Sequence, residues 1–160
     1  WMPKLKSLFI GGPKMEDDGL RALKDCTELR RFLIGRNNAF SDECFQHIVQ
    51  APKLRHLVNM YLKGTGDKAT EYVAKASHLA DYCVLASGPA ATSDRSLELL
   101  SKRESLERLS FDGLSVITNQ GVQSLVRLPR LKRLAISACQ QIGEEAFAQF
   151  HKRVSVSFKR

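Results

Sequence analysis

The chain has 160 residues, a formal net charge of +8 and a hydrophobic content of 43%. That length suits a single domain over 1–160, and no linker interrupts the sequence. No apolar run approaches the roughly 18 residues of a membrane-spanning helix, and no signal peptide is visible at the start. The composition therefore indicates one packed domain and gives no sign of a membrane span.

One pattern repeats along almost the whole chain. Each copy opens with a leucine, and successive leucines are 24, 25, 25, 27 and 25 residues apart. The six opening positions are Leu5, Leu29, Leu54, Leu79, Leu106 and Leu131. A fixed period of this length predicts a solenoid, in which each unit buries its apolar face only against its neighbours.

Each copy first predicts a short strand. Apolar residues three and five positions after the opening leucine, such as Leu8 and Ile10, share one strand face and point into the core. In the third copy, Asn59 occupies the second of these core positions. Residues two, four and six positions after the leucine face the opposite way, so successive copies should align them in rows across a parallel sheet.

Each copy then predicts a helix. About eleven residues after the leucine, a polar cap precedes apolar residues at helical spacing, as in Leu20 with Leu23. A small residue, such as Gly19 or Gly121, stands before the first of them, which predicts a close approach of helix and strand. After the sixth copy, the segment 154–158 alternates apolar and polar residues and predicts a final strand that closes the sheet.

The repeated pattern resembles the leucine-rich-repeat family over residues 4–153. The segments 117–125 and 131–139 are most similar to its cysteine-containing, ribonuclease-inhibitor-like subtype, which occurs in F-box substrate receptors and in assembly subunits. The subtype's polar ladder position is filled by Asn37, Ser87 and Cys139. The resemblance implies an α/β solenoid of about six strand-loop-helix units, with a curved parallel sheet on the concave face.

The start of the chain shows no capping segment. Terminal repeats of a solenoid usually need a polar cap, yet Trp1 stands almost inside the first repeat. We therefore expect either a fragment or a subunit whose N-terminal end is covered by another segment.

The four cysteines fall in different repeat positions. Cys26, Cys44 and Cys139 lie at positions expected to be buried, and only Cys83 is expected to face outward. This scatter predicts neither a disulfide framework nor a metal cluster, and it favours reduced thiols in an intracellular reducing compartment. His56 should face Asp81 across one rung with Cys83 nearby, but we expect a structural pair, because an open sheet offers no substrate pocket.

Basic residues concentrate where the strands begin. Of the 18 positions just before, one after and two after the opening leucines, ten are Lys or Arg, whereas an even spread would place about three there. The row two positions after the leucine contains Arg31, His56, Arg108 and Arg133, which suits an acidic protein surface or RNA phosphates. Acids gather instead at the helix starts, where they match the helix dipole.

The outward rows predict a contact surface. Apolar residues four and six positions after the leucine should form an exposed row in the first repeats, beside the bases. The predicted partner-binding residues are Phe9, Arg31, Leu33, Arg55, His56, Val58, Met60, Arg108 and Arg133.

These features together predict a non-enzymatic protein-protein interaction module or scaffold subunit of a larger assembly, which binds through the concave face. We expect no catalytic residue, cofactor, metal or small-molecule substrate, and we expect a partner with an acidic surface. Two alternatives stay open: the substrate-recognition part of an F-box ubiquitin ligase receptor, and an RNA-contacting subunit of a ribonucleoprotein.

Overall fold

A seven-stranded parallel sheet organises the fold. The computed structural model describes residues 2–12, 15–36, 39–62, 65–86, 91–150 and 152–159. Within them, the strands follow chain order across the sheet, as the solenoid prediction requires. They are β1 (Ser7–Gly11), β2 (Arg31–Gly35), β3 (His56–Met60), β4 (Asp81–Leu85), β5 (Arg108–Asp112), β6 (Arg133–Ser137) and β7 (Ser155–Lys159).

The predicted strand register is confirmed. The first six strands each begin two residues after an opening leucine, so equivalent positions of successive repeats stand side by side. For example, Arg31 pairs with His56, which pairs with Asp81 in the next strand. The seventh strand begins one residue later than the alternating segment predicted. The α/β leucine-rich-repeat solenoid expected from the sequence is therefore the observed fold.

Short helical segments connect the strands. The α-helices are α1 (Cys44–Ile48), α2 (Asp67–Val73), α3 (Asp94–Leu100) and α4 (Asn119–Ser124). The first and last repeats instead form 3-10 helices at Asp17–Asp25 and Glu144–Phe147, and a third 3-10 segment, Leu125–Arg127, continues α4. Such tighter winding is common in short connectors. No helix within the described ranges is long and apolar enough to cross a membrane.

The core lies between the sheet and the helices. Inward strand residues such as Phe32 and Phe111 are fully buried, as the alternation predicts. Asn59 is also buried; its Nδ2 donates to Thr65 Oγ1 at 3.2 Å, whereas its Oδ1 has no hydrogen-bond partner among the described residues. In β1, by contrast, Leu8 is only half-buried, because an end strand has a neighbour on one side only.

The turn after most strands uses a left-handed residue. Arg36, Tyr61 and Ala138 have φ values of 51°, 57° and 51°, and Gly12 and Gly113 occupy the same repeat position. At Arg36, Tyr61 and Ala138 the backbone N–H donates to a carbonyl of the next rung, at 3.0, 2.7 and 3.0 Å. That inter-rung hydrogen bond offsets the strain of a left-handed non-glycine residue.

Acids at the helix starts join consecutive repeats. An aspartate at or just before the helix start of one repeat accepts a hydrogen bond from a backbone N–H just before the helix of the next repeat. The N–H donors and their distances are Ser41 to Asp17 at 3.0 Å, Gly66 to Asp42 at 2.8 Å, Ser93 to Asp67 at 2.8 Å and Thr118 to Asp94 at 2.7 Å. Asn119 receives the equivalent bond from Gly143 at 2.8 Å. These acids therefore form a ladder of specific hydrogen bonds as well as facing a helix dipole.

The predicted close approach of helix and strand at the small residues is not what the structure shows at Gly19 and Gly121. Gly19 is exposed, and a Cβ there would meet only the Met15 side chain at 3.5 Å, so no close approach requires glycine. At the equivalent Gly121, a Cβ would lie 2.2 Å from Asp94 Oδ1, so glycine is needed there because the aspartate ladder passes through that space.

The cysteine prediction is also partly wrong. All four thiols are free, and Cys44 and Cys139 are buried as expected. Cys26 was expected to be buried, but it is only half-buried, like Cys83, because it lies beyond the end of the first helical segment. The polar ladder positions Asn37 and Ser87 lie outside the described residues.

Candidate functional site on the concave face

The sheet face away from the helices contains a depression of about 390 Å³. We call this sheet face the concave face. Strands β2 to β6 line the depression, and six predicted site residues contribute to it. These six are Arg31, Leu33, His56, Val58, Arg108 and Arg133. The depression thus brings together most of the residues that the sequence singled out.

The floor of the depression consists of side chains four positions after the opening leucines. Leu33, Val58, Cys83, Ser110 and Ala135 follow one another there, and all are half-buried. The larger apolar side chains come first and the small ones follow. Because Ser110 and Ala135 leave space above the sheet, the surface is indented rather than flat.

One wall contains a cluster of three ionisable side chains, one on each of three consecutive strands. Arg108 donates to Asp81 through Nε to Oδ1 at 2.8 Å and through Nη2 to Oδ2 at 2.5 Å. His56 Nδ1 contacts the same Oδ2 from the other side. The predicted His56–Asp81 pair is therefore present, and Asp81 also neutralises Arg108 by a bidentate contact. The hydrogen bond that Arg108 donates to Asp81 raises the pKa of Arg108, so this guanidinium stays charged and paired.

Two arginines on either side of the cluster lack such a partner. Arg31 and Arg133 are both exposed, and neither makes an ion pair with any carboxylate of the described residues. They stand on β2 and β6, four rungs apart, which corresponds to roughly 19 Å. The basic row predicted from the sequence thus has a neutralised centre between two guanidinium groups that are unpaired within the described residues.

Three predicted site residues lie outside the depression. Phe9 is 59% exposed and aligned with Leu33, so it extends the apolar row beyond the depression's edge. Met60 is half-buried at the end of β3, beside Gly35. Arg55 precedes β3, and its Nη2 lies 3.9 Å from Glu107 Oε1. Of these three, only Phe9 presents a large exposed apolar side chain next to the site.

Asp81, Ser110 and Ala135 were not among the predicted binding residues. Repeat position was the signal that could have found them. Asp81 aligns with the selected His56 and Arg108, and Ser110 and Ala135 continue the row that begins with the selected Leu33 and Val58. Their importance depends on neighbours: Asp81 removes a charge, while the two small residues create space.

The site shows no activated nucleophile. Burial raises the pKa of Cys83, although a hydrogen bond with Ser110 opposes that shift, and a raised pKa disfavours the thiolate that nucleophilic chemistry needs. No group of three histidine, cysteine or acidic residues within the described ranges could hold a metal ion. What the arrangement offers is a half-buried apolar surface between separated positive charges, which is suited to binding.

Comparisons with known proteins support the fold. No protein-family model matches the chain, and no curated protein matches it. A solved structure, the crystal structure of the TLR13-ssRNA13 complex, matches with a TM-score of 0.63 and 21% sequence identity. TLR13 is a leucine-rich-repeat protein. The match covers 98% of this chain and 22% of that chain, so the present chain spans about a fifth of the neighbour's length.

Proposed function

We propose that this chain is a non-enzymatic protein-binding module that docks an acidic segment of its partner across the concave face. The observation that supports this proposal best is the apolar floor of the depression between the free guanidinium groups of Arg31 and Arg133. Burial of an apolar side chain on that floor supplies affinity. The two arginines orient the partner and speed its association.

The spacing defines the partner's chemistry. Free charges roughly 19 Å apart on the sheet match the ends of an extended segment of about seven residues, since each residue adds about 3.3 Å. Such a segment would have an acid near each end and an apolar side chain in the middle. The neutralised centre offers a central acid no unpaired cation, which adds selectivity for an apolar centre.

RNA is the weaker candidate for this face. The neighbour's crystal contains an RNA, and free arginines also suit phosphates. However, Arg31 and Arg133 stand four rungs apart with an apolar floor between them, whereas a phosphate backbone carries one negative charge per nucleotide. Substrate reading for an F-box ligase, or scaffolding in a larger assembly, would each be a particular case of the proposed protein binding.

A defined peptide tests the proposal directly. We expect a seven-residue peptide with glutamate at both ends and leucine in the centre to bind the chain measurably in calorimetry at low salt. Its matched control has lysine at both ends and should bind at least about tenfold more weakly, because both charge pairs would become repulsive. Affinity purification with the chain then identifies the natural partner, whose binding is measured with the same variants.

The variants separate the two parts of the site. Leu33→Asp should weaken binding strongly, since it places a charge on a desolvated floor. The pair Arg31→Glu and Arg133→Glu should mainly slow association and reduce its salt dependence. Arg21→Glu with Arg95→Glu changes the charge equally on the helical side and is the matched control.

Binding by folded variants decides whether the partner docks on the concave face. Each variant is first checked for folding by circular dichroism, because a solenoid loses cooperativity when one rung fails. If the folded floor variant and the folded double arginine variant both bind the identified partner as the unsubstituted chain does, docking on the concave face is wrong.

A further inference from the structure

A second charged surface lies where the helices return to the strands. The loops 101–107, 128–132 and 152–154 meet at this side of the solenoid, in its C-terminal half. We call it the basic edge. Its cations come from three successive repeats, and they are Lys102, Arg103, Arg130, Lys132 and Arg153.

The basic edge contains two depressions. One, of about 530 Å³, is lined by Arg130, Lys132 and Arg153 together with Glu107. The other, of about 360 Å³, is lined by Lys102, Arg103, Glu104 and Arg130. Because Arg130 lines both, the two depressions adjoin along the row of repeats.

Of the five cations, only Lys132 makes an ion pair within the described residues. Glu107 accepts a hydrogen bond from Lys132 Nζ at 2.8 Å, and this bond, helped by the positive charge, lowers the pKa of Glu107. Glu107 is therefore the ion-pair partner of Lys132. Arg130 and Arg153 are exposed and make no ion pair with any described carboxylate.

The guanidinium of Arg103 is only partly hydrogen-bonded within the described residues. Its Nη2 donates to the Ala76 carbonyl at 3.4 Å, which is a long hydrogen bond. Its Nε is buried and has no hydrogen-bond partner among the described residues. Because Nε is buried, only the terminal nitrogens of Arg103 can reach an oxyanion in the depression.

We propose that the basic edge binds the phosphate backbone of a single-stranded nucleic acid without reading its sequence. Adjoining depressions along a line match the repeated charges of one flexible strand, whereas a membrane surface would favour a broad, flat patch. No aromatic side chain lines either depression, so contact is with phosphates rather than with bases. This surface is separate from the concave face, and the inference does not rest on the proposed protein binding.

The test measures binding of a fluorescent 15-nucleotide oligouridine by anisotropy between 25 and 200 mM salt, which is about the range where phosphate contacts change most. The variant Arg130→Glu with Arg153→Glu should weaken binding at least tenfold at low salt. Its slope of log K against log salt should become shallower by about 1.4, which is about 0.7 for each lost phosphate contact. Arg21→Glu with Arg95→Glu makes the same charge change on the helical side and should bind as the unsubstituted chain does.

Several results would overturn the proposal. They are no binding at the lowest salt, an equal loss in the helical-side control, or an equal affinity for a duplex of the same length. Binding to vesicles of phosphatidylserine and phosphatidylcholine, without binding to the oligonucleotide, would assign the surface to membranes instead. The variant Arg31→Glu with Arg133→Glu should keep full affinity for the oligonucleotide, and a loss there would move the nucleic acid to the concave face.

Discussion

Removal of one aspartate from the inter-repeat ladder should destabilise the solenoid far more than removal of a neighbouring acid. Asp67 accepts hydrogen bonds from the Ser93 backbone N–H at 2.8 Å, from Ser93 Oγ at 2.6 Å and from Ser96 Oγ at 2.6 Å. In Asp67→Ala the capping N–H loses its acceptor. The fully buried Ser96 hydroxyl keeps only its 3.0 Å contact with Thr70.

The size of the effect follows from these three bonds. A hydrogen bond to a charged group contributes about 1.5–3 kcal/mol, but bonds to one carboxylate do not add fully. We therefore expect Asp67→Ala to lower the free energy of unfolding by about 2–4 kcal/mol. Asp18→Ala also removes an acid from a helix start, but Asp18 is exposed and pairs only with Arg21, so its loss should stay within about 0.5 kcal/mol.

Chemical denaturation followed by circular dichroism measures both variants. If helix dipoles were the main role of these acids, the two substitutions would cost similar amounts. Equal losses in unfolding free energy would therefore refute the ladder as the source of stability. A loss that is confined to Asp67→Ala would support it.

The pH dependence gives a second measure of the same contact. Burial alone would raise the pKa of Asp67, but the hydrogen bonds from Ser93 and Ser96 outweigh it and lower the pKa below its ordinary value of 3.8. The contribution of Asp67 is thus present above that ordinary pKa and is lost as the pH falls through the lower, folded-state pKa. The stability difference between the unsubstituted chain and Asp67→Asn should shrink over this acid range.

Three further predictions concern the core, the turns and the thiols. Leu134→Ala should cost about 2–5 kcal/mol in denaturation, because its side chain is 1% exposed. Gly113→Ala should cost more than Gly12→Ala, since both have positive φ, but only at Gly113 would a Cβ lie 2.9 Å from a carbonyl oxygen. In thiol labelling followed by mass analysis, Cys26 and Cys83 should react before unfolding and the two buried cysteines only after it. Equal costs for the two glycines, or native labelling of all four thiols, would contradict these expectations.

The strands could be predicted from the sequence because each repeat has the same spacing between its opening leucine and its core residues. The distance from an opening leucine to the core residues places β2 at Arg31, and the same distance places β3 at His56. A parallel sheet in chain order then aligns equal positions, so the contact between His56 and Asp81 follows from counting alone. Repetition compensates for the weakness of any single short strand signal.

The remaining features depend on how neighbours combine. A count of bases predicted a basic row, but Asp81 contacts both His56 and Arg108, and only the geometry shows that double contact. The depression likewise arises from small side chains beside large ones. The left-handed turns at Tyr61 and Ala138 were not predicted, because neither residue type favours that backbone conformation and the hydrogen bond that stabilises it comes from another repeat.

The contacts that stabilise this solenoid and the surfaces proposed to bind lie on different sides, and this separation makes the proposals testable. The aspartate ladder stands at the helix starts, the core lies between the layers, and the outward strand positions belong to neither. Because side chains alternate along a strand, Arg31 can be reversed in charge without disturbing Phe32, its buried neighbour. An outward variant that loses binding while its unfolding free energy is unchanged therefore reports on recognition, whereas a ladder variant should change stability first and binding only through it.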